Sequence, residues 1–206
     1  NFRLIKSKEV MKLFLNHKFL TKKNNQLIIK DTKNNKIKKI ETDILVGADG
    51  PLSQVAKASG LFGRREFYIG IQAIARFKTQ KDSYETFFGR NFPGFFGWIV
   101  PENEKIARIG LAVKNNPSFY FNNFLKLKNI KKTGIIEKQS GLIPIYNPKN
   151  KTQKDNTYLV GDAALQLKAT TGGGIIPGLV AAQILAKSII NKIDYEKEWK
   201  KENGKE

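Results

Sequence analysis

Two short apolar segments of this chain end in the same kind of turn. Residues 43–50 read Asp-Ile-Leu-Val-Gly-Ala-Asp-Gly, and residues 158–162 read Tyr-Leu-Val-Gly-Asp. Each pattern predicts a buried strand that delivers an aspartate to its carboxyl end, which is where α/β proteins bind ligands. A helical pattern follows each turn, over residues 52–59 and 175–190. The two segments therefore predict a nucleotide-binding sheet that the chain leaves and later re-enters.

The first turn contains two glycines, Gly47 and Gly50, and the aspartate Asp49. The glycines allow a sharp turn and a close approach to a ligand. The Asp49 carboxylate can accept hydrogen bonds from neighbouring amides or from a ribose-like hydroxyl. The same residues also suit an ordinary strand-turn-helix, in which Asp49 caps the helix that follows. The residues alone leave both interpretations open.

The second turn, Gly161-Asp162, is followed by Gly172, Gly173 and Gly174 at the start of a predicted helix. The Asp162 carboxylate can accept hydrogen bonds from two hydroxyls of a polyol chain. The glycines expose backbone N–H groups at a helix start, whose partial positive charge suits an anionic ligand atom. Close helix packing alone is the weaker interpretation, because consecutive glycines weaken a helix start unless a backbone must come close.

Between the two turns the pattern is mainly that of β-structure. Residues 93–101 read Pro-Gly-Phe-Phe-Gly-Trp-Ile-Val-Pro, an aromatic strand that suits either a sheet core or an apolar pocket. The local excess of aromatic residues favours the pocket. The predicted strands of this block cover residues 68–77, 85–88, 94–100, 105–113 and 141–146, with a helix over 117–128. Upstream, the pattern predicts a short helix over 7–16, strands over 18–21 and 26–30, and a hairpin turn at 34–35.

The composition excludes several kinds of site and suggests an anionic partner. The 206 residues carry a formal charge of +19, with no cysteine and a single histidine, His17. This excludes disulfides, thiolate metal sites, a cysteine nucleophile and a histidine pair for a metal. The charge is explained either by lysines on solvated faces or by attraction to an anionic membrane surface. Nucleic acid is disfavoured, because the chain has no arginine-rich recognition helix and no paired aromatic signature of an RNA-binding sheet.

The motifs together carry a resemblance. The strand with Gly47-Ala-Asp-Gly50 and the strand with Gly161-Asp-Ala-Ala164 resemble the two downstream flavin motifs of the FAD-dependent oxidoreductases that include aromatic hydroxylases. The second motif, with Thr-Thr-Gly-Gly-Gly-Ile over 170–175, is most similar to the archaeal geranylgeranyl reductase family. Its substrate motif, P-x-x-Y-x-W-x-F-P followed by G-x-G, is matched at Pro93, Trp98, Pro101 and Gly110. Phe96, Val100 and Ala112 depart from that motif.

The resemblance implies an α/β (α+β) fold. This fold is a partial FAD-binding three-layer domain of the glutathione-reductase/aromatic-hydroxylase type, with an inserted antiparallel β-sheet substrate domain. The FAD-binding parts are expected over residues 1–66 and 147–206, and the substrate domain over 67–146. The implied FAD-binding residues are Gly47, Asp49, Gly50, Gly161, Asp162, Ala163, Gly172, Gly173, Gly174 and Ile175. The implied substrate residues are Phe96, Trp98, Pro101 and Gly110.

The resemblance also implies an activity. The full protein is expected to saturate C=C bonds of geranylgeranyl chains in archaeal membrane lipid precursors, with hydride from FAD that an external donor, NAD(P)H or a ferredoxin-like carrier, has reduced. No general acid is evident, since His17 lies early in the chain and Phe96 replaces the family's tyrosine. No signal peptide or membrane-spanning run is evident, and together with the lipid-like substrate that the resemblance implies, this leads us to expect a cytoplasmic, membrane-peripheral location. The alternatives are an FAD-dependent monooxygenase of the same superfamily and a non-catalytic basic module at anionic membranes.

The sequence lacks the G-x-G-x-x-G turn that holds the pyrophosphate of FAD in this superfamily. We therefore expect the chain to be a piece of a longer protein, without its N-terminal part and its C-terminal region. By itself, the chain is expected to bind FAD weakly or not at all, and to be inactive.

Overall fold

The computed structural model describes residues 12–203, which form eleven strands and four α-helices. The strands are β1 (His17–Lys23), β2 (Gln26–Asp31), β3 (Ile37–Glu41), β4 (Leu45–Gly47), β5 (Phe67–Arg76), β6 (Glu85–Phe87), β7 (Gly97–Asn103), β8 (Ile106–Val113), β9 (Ile135–Pro144), β10 (Gln153–Lys154) and β11 (Thr157–Leu159). The helices are α1 (Gln54–Ala58), α2 (Pro117–Leu127), α3 (Ile175–Asn191) and α4 (Tyr195–Asn203).

The first sheet is an antiparallel meander in the order β1-β2-β3. Asn35, in the left-handed region at φ 61°, closes the predicted turn between β2 and β3. The helix predicted over residues 7–16 is wrong for residues 12–16, and its remainder lies outside the described residues. Asn16 has φ 57°, which ends a helix, and its carbonyl accepts from the Thr32 amide at 2.7 Å. Asn16 is therefore held by the residue that follows β2, and residues 12–16 do not form a helix.

The second sheet, in the order β10-β11-β4, joins distant parts of the chain. Strands β4 and β11 run parallel, with Thr157 opposite Leu45 and Leu159 opposite Gly47. Leu45, Val55 and Leu159 belong to one buried apolar cluster, so that α1 packs on this sheet. The pairing brings the ends of both predicted strands to the same edge, which is the arrangement that their Gly-Asp turns predict.

The third sheet is five-stranded, antiparallel and ordered β6-β7-β8-β5-β9. One face packs on α2 through a buried cluster that includes Ile99, Ile109 and Phe124. Side chains alternate between faces along a strand, so that Trp98 and Gly110 belong to the opposite face. We call that opposite face the open face. Strand β9 begins at Ile135, earlier than predicted, because it pairs with β5 along nearly all of its length.

Helices α3 and α4 pack on each other through Ala181, Leu185, Tyr195 and Trp199. Within residues 12–203, no helix is both long enough and apolar enough to span a bilayer.

Candidate active site

The two Gly-Asp turns lie side by side. The Val160 amide donates to the Gly47 carbonyl at 3.0 Å, which continues the β4–β11 pairing up to the second turn. A Cβ atom on Gly47 would lie 2.8 Å from Val55 Cβ and 2.8 Å from Leu159 Cδ2. Gly47 is therefore required by the packing of α1 and β11 on β4.

The Asp49 carboxylate is used within its own turn. Its Oδ1 accepts from the Ser53 hydroxyl at 2.5 Å, and its Oδ2 accepts from the amides of Gln54 at 2.6 Å and Val55 at 3.2 Å. Both amides lie in the first turn of α1, whose unpaired N–H groups favour a negative charge. The N-cap residue of α1 is Ser53, and Asp49 adds to this cap by accepting from the next two amides, in line with the second interpretation of the sequence. Gly50, at φ +81°, makes the turn before it.

The Asp162 carboxylate is placed differently. Asp162 is partly buried and accepts no hydrogen bond from any residue in 12–203. Burial raises the pKa of this carboxyl above its ordinary value, because the carboxylate loses water and no group in residues 12–203 donates to it instead. A Cβ atom on Gly174 would lie 2.8 Å from Asp162 Oδ1. The carboxylate therefore faces the N-terminus of α3, with its hydrogen-bonding capacity available.

The Gly172–Gly174 loop connects the second turn to the five-stranded sheet. Gly172 has φ +65°, and a Cβ atom there would lie 3.0 Å from both Phe95 Cζ and Ile143 Cγ2. Gly173 is exposed, and so is the Ile175 side chain that begins α3, at 79%. The loop thus touches the aromatic residues beside the open face while it keeps its backbone accessible at Gly173.

A buried hydrogen-bond network holds the second turn in place. The Gly161 amide donates to Gln166 Oε1 at 2.8 Å, and Gln166 Nε2 donates to the Tyr195 hydroxyl at 2.6 Å. The Tyr195 hydroxyl donates to the Leu159 carbonyl at 3.0 Å. Both side chains are fully buried, and burial raises the pKa of Tyr195 to about 12. Through Tyr195, helix α4 therefore stabilises the second turn, in which Gly161 has φ +65°. We call this Gly161–Gln166–Tyr195 network the brace.

Arg65 joins the two turns. Its Nη1 donates to the Pro51 carbonyl at 3.0 Å and its Nη2 donates to the Ala163 carbonyl at 2.8 Å, one from each turn region. The guanidinium also lies over the Phe62 ring, 4.3 Å from the ring centroid. Burial lowers the pKa of Arg65, and the nearby Asp49 carboxylate opposes that shift.

The sequence did not predict Arg65, Gln166 or Tyr195 as parts of the site. Gln166 carries a weak signal, since it is a polar residue between two leucines directly after the second turn. Arg65 and Tyr195 have no local signal, because their roles depend on contacts with residues distant in the chain. Ala163, a predicted site residue, is buried and contributes its carbonyl to Arg65.

The predicted substrate residues divide between the two faces of the five-stranded sheet. The Trp98 indole lies flat over Gly110, where a Cβ atom would be 2.5 Å from the ring, and its Nε1 donates to Gln72 Oε1 at 2.8 Å. Phe96 meets Trp98 edge-on, with 5.9 Å between ring centroids. Pro101 lies opposite Ala107, a residue of the cluster under α2. The structure therefore groups Phe96, Trp98 and Gly110 but leaves Pro101 on the other face.

The aromatic residues extend from the open face to the second turn. Phe96 stacks on Phe95 with 4.4 Å between centroids, and Phe95 contacts Tyr68 at 4.8 Å. Phe95 is also the ring nearest to Gly172. A continuous apolar path therefore runs from Trp98 to the loop that begins α3.

No protein-family model matches the chain. It is 29% identical over 191 residues to digeranylgeranylglycerophospholipid reductase 2 of Methanothermobacter thermautotrophicus, which covers 82% of this chain and 49% of the relative. It is 32% identical over 180 residues to digeranylgeranylglycerophospholipid reductase 3 of Methanosphaera stadtmanae, covering 80% of this chain and 45% of the relative. The chain spans about half the length of the curated relatives that it matches.

Solved structures share the fold. A geranylgeranyl bacteriochlorophyll reductase-like protein of Thermoplasma acidophilum superposes with a TM-score of 0.74 at 23% identity, over 90% of this chain and 52% of that chain. A myxobacterial FAD-dependent halogenase superposes with a TM-score of 0.62 at 13% identity, over 90% of this chain and 49% of that chain. The fold class is thus that of the FAD-dependent oxidoreductases. The sequence relatives narrow this class, and the chain belongs to the geranylgeranyl reductase family that includes the archaeal digeranylgeranylglycerophospholipid reductases.

Proposed function

We propose that the full-length protein is an FAD-dependent reductase that saturates C=C bonds of geranylgeranyl chains in archaeal membrane lipid precursors. The observation that carries this proposal is the Asp162 carboxylate, partly buried, without a partner in residues 12–203, and joined to an aromatic path through Gly172. The names of the sequence relatives supply the substrate class.

The residues of the second turn fit FAD. A carboxylate that has lost water without gaining a donor is suited to hydroxyls, and the ribityl chain of FAD supplies them. The absence of a side chain at Gly174 leaves the space in which Asp162 Oδ1 lies. We assign Asp162 to the ribityl hydroxyls. We also assign the backbone amides of Gly173, Gly174 and Ile175, at the start of α3, as hydrogen-bond donors to the anionic edge of the flavin ring.

The other proposed contacts act mainly through the backbone. Asp49 fixes the first turn by accepting from amides at the start of α1. We assign the backbone of this turn, around Gly50, to contacts with the pyrophosphate side of FAD. Gly47 and Gly172 allow close packing, while Gly161 and Ala163 shape the second turn. On this assignment, residues 1–66 and 147–206 form the FAD-binding parts and residues 67–146 the substrate domain.

The open face of the five-stranded sheet supplies the substrate path. Gly70 lies opposite Ala112 on one side and Gly141 on the other, which makes a row of small residues across three strands. Phe96 and Trp98 border this row and would pack on the prenyl chain and exclude water. Gly110 permits the Trp98 indole to lie flat. Pro101 would support this region only through strand β7, because it faces α2.

When bound, FAD supplies the hydride for the reduction, after an external donor such as NAD(P)H or a ferredoxin-like carrier has reduced it. This chain's residues orient the alkene and keep water away from it. A lipid substrate also implies a position at the membrane surface, on the cytoplasmic side, and we include this peripheral location in the proposal.

The test is the absorption spectrum of the purified full-length protein, before and after Asp162→Ala. We expect flavin bands at near-full occupancy in the unaltered protein and their loss in the variant. Asp82→Ala, in an exposed loop of the substrate domain, is the matched control and should retain the bands. A colourless unaltered protein would contradict the proposal and favour a basic binding module.

Product analysis then separates reductase from monooxygenase. Prenyl lipid supplied with dithionite should gain two hydrogens for each double bond reduced, without oxygen. Oxygen-dependent NAD(P)H consumption with a hydroxylated product would instead favour a monooxygenase.

A further inference from the structure

The meander β1-β2-β3 has one face packed on the protein and one face that no described element covers. Phe19 and Leu27 pack on the cluster around Leu45 and Val55, which defines the inner face. Residues directly opposite each other on paired strands share a face, and successive residues alternate. The other face, which we call the outer face, therefore carries Lys18, Leu20, Thr21, Lys23, Gln26, Ile28, Lys30, Ile37, Lys39 and Glu41.

The outer face is strongly cationic and its charges are not neutralised. It holds four lysines and one glutamate, and Lys18 lies directly opposite Lys30. Like charges in directly opposed positions destabilise a sheet. None of these four lysines forms an ion pair with a residue in 12–203; the ion pairs there involve other cations, such as Lys114 and Lys200. An external polyanion would offset this repulsion.

Aliphatic residues lie among the lysines. Ile37 is 53% exposed, and Leu20, the extra residue of a β-bulge in β1, is 40% exposed. Ile28 lies between them in the central strand. The face has no arginine and no aromatic residue, which are the groups that stack on bases and grip phosphates in nucleic-acid sites. Lysines with shallow aliphatic residues match an anionic lipid surface, where the charges meet headgroups and the aliphatic groups enter the interface.

We propose that the outer face of the meander docks the protein on anionic lipid bilayers. This surface would account for the peripheral location proposed above. The inference therefore rests on the proposed lipid-reductase function. The attraction of each lysine near such a surface changes the partition coefficient by on the order of fivefold. Lysines elsewhere on the protein contribute less at physiological salt, because the screening length is then about 8 Å.

The experiment is co-sedimentation of the full-length protein with vesicles of phosphatidylcholine alone or mixed with phosphatidylglycerol, at two salt concentrations. The test variant carries Lys18→Gln, Lys30→Gln and Lys39→Gln together. The control carries Lys81→Gln, Lys131→Gln and Lys132→Gln, which remove the same charge from exposed positions near the five-stranded sheet. We expect binding to require phosphatidylglycerol, to weaken with salt, and to fall at least tenfold in the test variant but less than twofold in the control.

Equal losses in the two triple variants, or binding without phosphatidylglycerol, would overturn the proposal. Tighter binding to a single-stranded oligonucleotide than to vesicles, lost in the test variant, would also overturn it. Because the variant removes opposed positive charges, its thermal midpoint should not fall; if it does, Leu20→Ser with Ile37→Ser tests the same face without altering charge and should also weaken binding. Flavin spectra and reduction of detergent-dispersed lipid should be unchanged, so that failure of docking is distinguishable from failure of the proposed reductase.

Discussion

The two Gly-Asp turns end neighbouring parallel strands, yet they use their aspartates in opposite ways. Helix α1 begins at Gln54, close enough to the first turn for Asp49 to cap it. Helix α3 begins only at Ile175, and although the Asp162 carboxylate faces its N-terminus, no amide in residues 12–203 donates to it. The first turn is stabilised by its own aspartate, whereas the second is stabilised by Gln166 and Tyr195. Asp49 is therefore used by the structure itself, whereas the Asp162 carboxylate is available to a ligand.

The largest expected effect concerns the brace of the second turn. Tyr195→Phe removes the hydroxyl that accepts from Gln166 and donates to the Leu159 carbonyl, and it leaves both partners buried and unpaired. Such losses cost about 3 kcal/mol together. We expect the free energy of unfolding to fall by that amount in urea titrations, with weaker flavin binding because the Gly161 turn loosens.

Tyr158→Phe is the matched control for this brace. Tyr158 contacts the Tyr195 ring edge-on, with 6.2 Å between centroids, and its hydroxyl takes no part in the network. Its free energy of unfolding should change by less than about 0.5 kcal/mol. Equal effects of the two substitutions would contradict the role assigned to the Tyr195 hydroxyl.

The second prediction contrasts the effects of removing each aspartate on stability and on flavin binding. Asp49→Ala removes the acceptor of the Gln54 and Val55 amides and of the Ser53 hydroxyl, which should lower the free energy of unfolding by about 2 kcal/mol. Asp162→Ala should leave that free energy nearly unchanged while it removes flavin binding. Denaturant midpoints of both variants, with flavin occupancy at saturation, check the contrast. Loss of flavin from Asp49→Ala without loss of stability would make Asp49 a ligand group instead.

This contrast also marks how far the sequence alone could reach. The α/β fold class is confirmed, and the observed α3 (Ile175–Asn191) and β5 (Phe67–Arg76) lie within one residue of their predicted bounds, because each combines a clear period with a marked boundary. The helix predicted for residues 12–16 is wrong, and the bond from the Thr32 amide to the Asn16 carbonyl is a contact that no local pattern shows. The use of Asp49, the face of Pro101 and the roles of Arg65, Gln166 and Tyr195 depend on long-range packing, which no local pattern encodes.

The third prediction addresses the space in which the Asp162 carboxylate lies. Gly174→Ala places a methyl group 2.8 Å from Asp162 Oδ1, which is too close for contact, and should turn the carboxylate away from α3. We expect flavin affinity to fall about tenfold, or about 1.4 kcal/mol. Gly134→Ala is the control, because its Cβ atom has 3.6 Å to the nearest atom, the Arg76 carbonyl oxygen, and Gly134 lies outside the proposed site. Equal affinities of the two variants, measured by flavin fluorescence, would place the ligand-facing atoms elsewhere.

The smallest effect follows from the ionisation of Asp162. Burial raises the pKa of its carboxyl in the folded protein, so that the folded state binds this proton more tightly than the unfolded state does. Its contribution therefore favours folding at low pH and is lost as pH rises from about 4 through the raised pKa. Asp162→Asn removes this dependence, so its denaturant midpoint, relative to the unaltered flavin-free protein, should rise between pH 4 and pH 7. If Asp162 holds the cofactor, the ribityl hydroxyls would replace the water that the carboxylate has lost, and saturating FAD should make the rise in denaturant midpoint smaller. A rise that saturating FAD leaves unchanged would show that the buried carboxylate lies outside the binding site.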